Sequence, residues 1–366
     1  MKANRKLGLG ILGLGEGRST ISASLNSENI ELVQICDINL NLCKQRAKEF
    51  DFHHYTTDFH EMLSNPAIDA IGIYTPDHLH AQHIRMAMEH GKHVVCTKPL
   101  LDDLTEAVAL LELQKKQGVR LFVGQSSRFF EPMRRQREDF QKGLIGDLIT
   151  IEAYYHADHR WFLNKPWALE SSFKWLFGGL SHPVDFIRWY LPEIDEVMGY
   201  GMLSANGLEG GLKNHDTMHF IFKSKDGRIA RVSGAYTGPV QPALRDSEMS
   251  CILRGTKGCS QGDYMELRYA ITTNEGEEQV ITWEHKSKHY FRFEGKSHHA
   301  GEYNNYLEHF ATSIQEGFTA YPDLKEGIGT IVLLKAMEKS LLSGKPEKLE
   351  DIINTYGLGS HLKKPN

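Results

Sequence analysis

No uninterrupted hydrophobic run in this chain comes near the roughly 20 residues that a bilayer-spanning helix needs. Cysteine is sparse. The five thiols, Cys36, Cys43, Cys96, Cys251 and Cys259, are odd in number and scattered, with no C-x-x-C pair. That argues against a disulfide framework or a cysteine zinc site and fits a reducing, cytoplasmic setting. There is no basic excess: the formal net charge of −5 speaks against a nucleic-acid or anionic-membrane surface. Internal repeats and low-complexity linkers are missing too. The first apolar strand begins almost at once, so no secretory leader is expected. What is left is a chain of 366 residues with ordinary globular composition, enough for two domains with a core each.

What the chain does have is a strand, a glycine turn and a helix in its first 25 residues. Leu7, Leu9, Ile11 and Leu12 lead into Gly13, Gly15 and Gly17, and a helical segment opens at Ser19 and Thr20. This arrangement binds the pyrophosphate of a dinucleotide: glycines admit close approach, and the helix start offers unpaired N–H groups. Gly13, Leu14, Gly15, Glu16, Gly17 and Arg18 are therefore the candidate contacts. The spacing departs from G-x-G-x-x-G, because the third glycine comes one residue early and Arg18 stands in its place. A second strand, Ile30 to Cys36, ends at Asp37, roughly 20 residues on, where a carboxylate can accept from ribose hydroxyls. Asp37 could instead cap the helix that follows, 39–50. No cation occupies 38 or 39, so NAD is expected rather than NADP.

Short apolar strands at 67–74, 92–96 and 119–124 then alternate with helices running to Glu89 and over 102–116. Alternation of this kind predicts a doubly wound parallel sheet with its ligand at the carboxyl ends of the strands. Thr75, Lys98 and Gln125 fall just past such ends, and Pro76 and His80 belong to the same cofactor-edge segment. After residue 124 the pattern changes to half-buried alternation, as in Leu148 to Tyr155. Strands are expected at 195–203, 215–223, 228–236, 248–254, 266–272 and 279–283, with a hairpin turn at Asp226-Gly227. Helices are expected near 182–190, 301–315 and 324–342. The expected architecture is α/β: a domain over 1–127, then an α+β domain over 128–366 whose large, mostly antiparallel sheet leaves one face to be covered by its own helices or a twin subunit. The tail from His361 to Asn366 reads as loosely held.

Three groups of residues could carry chemistry. Lys98, fixed by Pro99 at the cofactor edge, could stabilise an alkoxide as hydride leaves, or could form a salt bridge to the second domain. His182, after paired glycines, could exchange a proton near neutral pH. Asp185, one turn on, could orient it or cap the helix. Tyr155, His156, Asp158, Arg160 and Trp161 crowd hydrogen-bonding groups beside an aromatic face, which suits a polyol; a solvated loop and a metal site are the other readings. Tyr236 joins the substrate candidates. His215 and His219 share a strand face, and His298-His299 has no evident partner.

Taken together, these segments resemble the family of glucose–fructose oxidoreductase, inositol 2-dehydrogenase and the rhizopine-catabolism protein, from Gly8 to about Glu350. The marks are the early glycine turn, Asp37, Thr75-Pro76-x-x-x-His80, Gly91-Lys92-His93-Val94-x-Cys96-x-Lys98-Pro99, Gly143-x-Ile145-Gly146, His182-x-x-Asp185 and Ser340-x-x-Ser343-Gly344-Lys345-Pro346. The resemblance implies a Rossmann domain, an open-faced second domain that often forms homodimers or homotetramers, and hydride transfer between NAD(P) and a sugar or cyclitol alcohol. It matches Lys98 to the family's active-site lysine and His182 to its usual general base. Two departures stand out: Thr97 replaces the glutamate of Glu-Lys-Pro, and Gly178 replaces an acid four residues before the histidine. An NAD-dependent glycosidase and a non-catalytic nucleotide-binding sensor are the alternative readings.

Overall fold

The computed structural model describes residues 5–191, 193–241, 246–276, 278–290 and 301–362, with the side chains of 166 and 167 excepted. His298-His299 and the last four residues of the tail lie outside the described residues. The chain divides into two compact units. The first takes the described residues up to Phe129, then Lys286–Ile331 and those from Tyr356 on; the second takes Phe130–His285 and Val332–Thr355.

The first unit is built from β1 (Leu7–Leu12), α1 (Arg18–Leu25), β2 (Ile30–Cys36), α2 (Leu40–Phe50), β3 (Tyr55–Thr56), α3 (Phe59–Ser64), β4 (Ala70–Ile73), α4 (His80–Glu89), β5 (His93–Thr97), α5 (Ala107–Gln117) and β6 (Leu121–Gly124). All its strands are parallel, in the order β3-β2-β1-β4-β5-β6. Helices cover both faces of such a sheet, so its central strands are largely apolar. Leu9, Ile11, Ile71, Ile73, Val94, Val95, Phe122 and Val123 are accordingly buried. The doubly wound α/β expectation stands. The α5 helix starts at Ala107, later than residue 102, because Asp103 accepts from the Thr105 amide and holds the chain in a turn.

The second unit contains α6 (Glu131–Gln141), β7 (Leu148–Ala157), α7 (Trp175–Gly178), α8 (Ser181–Tyr190), β8 (Ile194–Met202), α9 (Ala205–Glu209), β9 (Thr217–Ser224), β10 (Ile229–Ala235), β11 (Ser247–Gly255), β12 (Gly258–Asp263), β13 (Arg268–Thr273) and β14 (Glu278–Thr282). A late strand, β15 (Glu347–Lys348), completes a nine-stranded sheet in the order β14-β13-β12-β11-β7-β10-β9-β8-β15. It is antiparallel except where β10 runs parallel to β7. Asp226-Gly227 makes the expected turn between β9 and β10, with Gly227 at φ +87°. The β12 strand escapes sequence reading because Gly-Cys-Ser-Gln-Gly-Asp carries almost no apolar signal. Helices α6 and α8 lie on one face of the sheet. The opposite face presents Tyr200, Met202, Ile221 and Ile229 to solvent. Along β9, Met218, Phe220 and Phe222 point inward while His219, Ile221 and Lys223 point out.

The closing helices depart from a continuous second domain over 128–366. The short α10 (Ser287–Tyr290) and α11 (Gly301–Glu316) belong to the first unit. Tyr303, Tyr306, Leu307 and Phe310 of α11 are buried in one cluster with Leu9, Ile21 and Phe122, and burial of each large apolar side chain stabilises by about 1.5–3 kcal/mol. Tyr306 also shares a 2.6 Å hydrogen bond with Tyr74. The long α12 (Leu324–Ser343) begins in the first unit and ends in the second, followed by α13 (Leu349–Thr355) and α14 (Gly359–Leu362). No described helix is long and apolar enough to cross a membrane.

Candidate active site

In the first unit the carboxyl ends of the neighbouring strands β1, β4, β5 and β6 bring the glycine turn, Thr75, Lys98 and Gln125 to one sheet edge. Gly13 has φ +88°, and a Cβ there would stand 2.6 Å from the Tyr74 carbonyl. A Cβ on Gly17 would stand 2.3 Å from the Gly13 oxygen. Both positions require glycine for the fold. Gly15 differs, since a Cβ there would meet nothing within 4 Å. Gly17 caps α1 without a side-chain hydrogen bond, and no acid lies in the first turn. Glu16 is exposed beside this open helix start. The turn therefore fits a pyrophosphate: backbone amides, open space at Gly15 and a positive helix end.

Asp37 holds this turn in place. Its Oδ2 accepts from the Leu14 amide at 2.8 Å and its Oδ1 from the Asn39 amide at 2.9 Å. The cap of α2 is Asn39, whose Oδ1 accepts from the Asn41 and Leu42 amides, and not Asp37; the remaining lone pairs of Asp37 can still accept from a ribose. Arg46 donates to the Leu14 carbonyl at 3.0 Å. Arg18, expected against the cofactor, instead donates to Glu49 of α2 at 2.6 Å. Gln125, 2% exposed, keeps a buried Oε1 with no hydrogen-bond partner among the described residues.

Lys98 is half-buried at the end of β5. Burial pushes its pKa below the ordinary lysine value, and the charges of Asp77 and then Glu16 pull it back up. Thr75 is half-buried and Pro76 exposed. The hydroxyl of Thr75 bonds His83 Nδ1 at 3.0 Å. His80 corrects its expected place: it is fully buried, with both ring nitrogens on backbone carbonyls and neither left for a ligand. Sequence reading missed Asp77 and Tyr303. The Tyr303 hydroxyl reaches the side chain of Thr97, and burial raises its pKa well above the usual tyrosine value. A helix 200 residues downstream leaves no local signal for such a contact.

In the second unit an aromatic cluster forms around His182. His182 is 4% exposed in the first turn of α8, and Asp185, one turn on, is fully buried. The ring of Tyr155 lies 6.0 Å from that of His182 and 5.1 Å from that of Trp175. Trp175 packs 4.5 Å from Tyr236, and His159 5.5 Å from Tyr236. Burial raises the hydroxyls of both tyrosines far above their ordinary pKa. Tyr236 is anchored through its amide to the carbonyl of buried Asp216, whose carboxylate takes the Ser204 amide at 2.6 Å. Trp175, also missed by sequence reading, is 6% exposed, and its Nε1 has no hydrogen-bond partner among the described residues. Its ring covers Gly179, where a Cβ would stand 2.2 Å away. Among the described residues, a Cβ at Gly178 would meet only Phe173, at 3.9 Å.

The rest of the expected polyol cluster separates. Strand alternation puts His156 on the other face from Tyr155, where it bonds Ser233 at 3.2 Å and faces His219. His156 therefore does not join His182. Asp158 and Arg160 form two 2.7 Å bonds to each other, so the Arg160 guanidinium holds the Asp158 carboxyl below its usual range. Trp161 is half-buried beside His159, 5.7 Å between rings.

Comparison with known proteins agrees with the fold of both units. Residues 7–125 match an oxidoreductase family profile described as an NAD-binding Rossmann fold, and residues 142–349 match the C-terminal alpha/beta domain of the same family. The chain is 21% identical to the myo-inositol 2-dehydrogenase of Thermotoga maritima over 94% of this chain and 99% of that one. It is 28% identical to the scyllo-inositol 2-dehydrogenase (NAD(+)) of Bacillus subtilis over 65% of this chain and 68% of that one. In fold it matches a levoglucosan dehydrogenase in complex with NADH and levoglucosan, with a TM-score of 0.81 at 18% identity over 94% of this chain and 100% of that one. The chain belongs to this oxidoreductase family and carries its NAD-binding Rossmann fold and its C-terminal alpha/beta domain.

Proposed function

We propose that the protein is an NAD-dependent dehydrogenase acting on a secondary alcohol of a sugar, sugar derivative or cyclitol. The observation that carries the reading is Lys98, half-buried at the strand edge that also bears the open glycine turn and Asp37. A nicotinamide supplies the hydride acceptor or donor when bound. Lys98 then hydrogen-bonds the substrate oxygen and stabilises the charge that develops on it. His182 takes the hydroxyl proton as general base. The rings of Tyr155, Trp175 and Tyr236 offer flat apolar surface to the C–H face of a cyclic polyol, and Trp161 extends it. The names of the inositol and levoglucosan dehydrogenases among the relatives support this substrate class.

The open face of the nine-stranded sheet, with Tyr200, Met202, Ile221 and Ile229 exposed, supports assembly as a homodimer or homotetramer. Five free, scattered cysteines support a cytoplasmic location.

A second reading, an NAD-dependent glycosidase, draws on His159, an extra acid–base group 5.5 Å from Tyr236. One experiment separates the two. The purified protein is incubated with NAD and a panel of inositols, aldoses, anhydrosugars and aryl glycosides. NADH accumulation with a free polyol supports the dehydrogenase, whereas aglycone release without net NADH supports the glycosidase. No reaction and no NAD binding would refute both.

A further inference from the structure

His80 is 0% exposed, and each of its ring nitrogens ends on an oxygen that cannot donate. Nε2 lies 2.8 Å from the Thr75 carbonyl and Nδ1 lies 2.9 Å from the Pro99 carbonyl. A neutral imidazole has one N–H and one lone pair. It would satisfy one of these oxygens and press its lone pair against the other. An imidazolium satisfies both.

A buried cation needs compensating charge nearby. Asp77 supplies it, three residues earlier at the start of a short helical turn after β4. Burial raises the Asp77 pKa above the ordinary carboxylate value; against that, the charges of His80, Lys98 and His78 favour its carboxylate, and the charge of Asp102 opposes it. The remaining histidine, His83, accepts from or donates to the Thr75 hydroxyl at 3.0 Å. Burial and the charges of His80 and His78 push its pKa down to about 4, which leaves it neutral. Thr75 is thus gripped at its carbonyl by His80 and at its hydroxyl by His83.

We propose that His80 is held as a doubly protonated cation that ties the loop after β4 to the loop after β5 and thereby positions Lys98, with Asp77 as the counter-charge that replaces the carboxylate this chain lacks at Thr97. The carbonyl it holds belongs to Pro99, the residue next to Lys98. A fixed positive charge there also favours the carboxylate form of Asp77 at the cofactor edge. His80 is a positioning residue, since it has no ring nitrogen left for cofactor or substrate.

The direct test is nitrogen NMR of the full chain labelled with 15N-histidine, assigned by difference against His80→Gln. The expected result is a histidine with both ring nitrogens protonated at about pH 8, where a free histidine is mostly neutral. A single-protonated His80 at about pH 8 overturns the proposal. If His80→Gln does not fold, the wild-type spectrum decides alone, because it must contain one doubly protonated ring at about pH 8. The positioning role rests on the dehydrogenase reading and has its own readout. With a polyol that the wild type oxidises, His80→Gln should lower kcat about tenfold or more and move the alkaline limb of the pH profile, with NADH affinity within about threefold. An unchanged kcat and profile overturns the positioning role. A wild type that oxidises no polyol refutes the dehydrogenase reading, while the NMR result still decides the charge of His80.

Discussion

The amide of Leu14 donates to Oδ2 of Asp37 at 2.8 Å, so the carboxylate at the end of β2 fixes the glycine turn at the end of β1. The residue expected to recognise a ribose also builds the phosphate turn beside it. Asp37→Ala should weaken NAD binding about 10- to 100-fold, the equivalent of one or two charge-assisted hydrogen bonds. Calorimetric titration with NAD checks this, and an affinity within a factor of three of wild type would refute the assignment.

Gly15 and Gly17 should respond in opposite ways to alanine. At Gly17 the new Cβ would stand 2.3 Å from the Gly13 carbonyl, so Gly17→Ala should destabilise the fold by about 1–3 kcal/mol. At Gly15 nothing lies within 4 Å, so Gly15→Ala should leave thermal stability within about 0.5 kcal/mol of wild type. Yet it should lower NADH affinity about tenfold or more, because the methyl enters the space assigned to the pyrophosphate. Melting curves with NADH titrations separate the two effects.

Lys98 gives the protein a pH signature. Its pKa is lowered by burial and pulled back up by Asp77. An activity that needs the ammonium form is present below that pKa and lost as pH rises through it, earlier than for a free lysine. Removing the Asp77 charge lowers the pKa further. The alkaline limb of kcat in Asp77→Asn should therefore shift toward neutral pH. A shift toward higher pH, or none, would contradict this electrostatic picture.

Trp175 tests the proposed substrate surface. Its indole lies 4.5 Å from Tyr236, and its N–H is buried without a partner among the described residues. Trp175→Phe keeps an aromatic surface but loses the donor. It should raise KM for the polyol about tenfold while NADH affinity stays at the wild-type value. Steady-state kinetics with a parallel NADH titration checks it.

The sequence made the parallel sheet legible because buried strands leave continuous apolar runs, and Gly13 and Asp37 announced the edge where it turns. Alternation along β9 announced the open face of the second sheet in the same way. Other features depend on contacts that no local pattern encodes. The partner of Arg18 is Glu49, 31 residues on. Tyr155 and His156 are neighbours in sequence and sit on opposite faces of β7, so a dense polar cluster in the chain splits in space. The His80 clasp needs two carbonyls, and backbone oxygens have no sequence signature. Likewise α11 reads as an amphipathic helix, but only the buried contacts of Tyr306 and Phe310 reveal that it belongs to the first unit.

The most direct test of the central claim is NADH formation by the wild type, Lys98→Met and His182→Asn with one polyol that the wild type oxidises. Each variant is expected to bind NADH as the wild type does and to lose about 10²- to 10⁴-fold in kcat, the usual contribution of a positioned acid–base group. A folded Lys98→Met or His182→Asn protein that still reduces NAD at near wild-type rate would contradict the account.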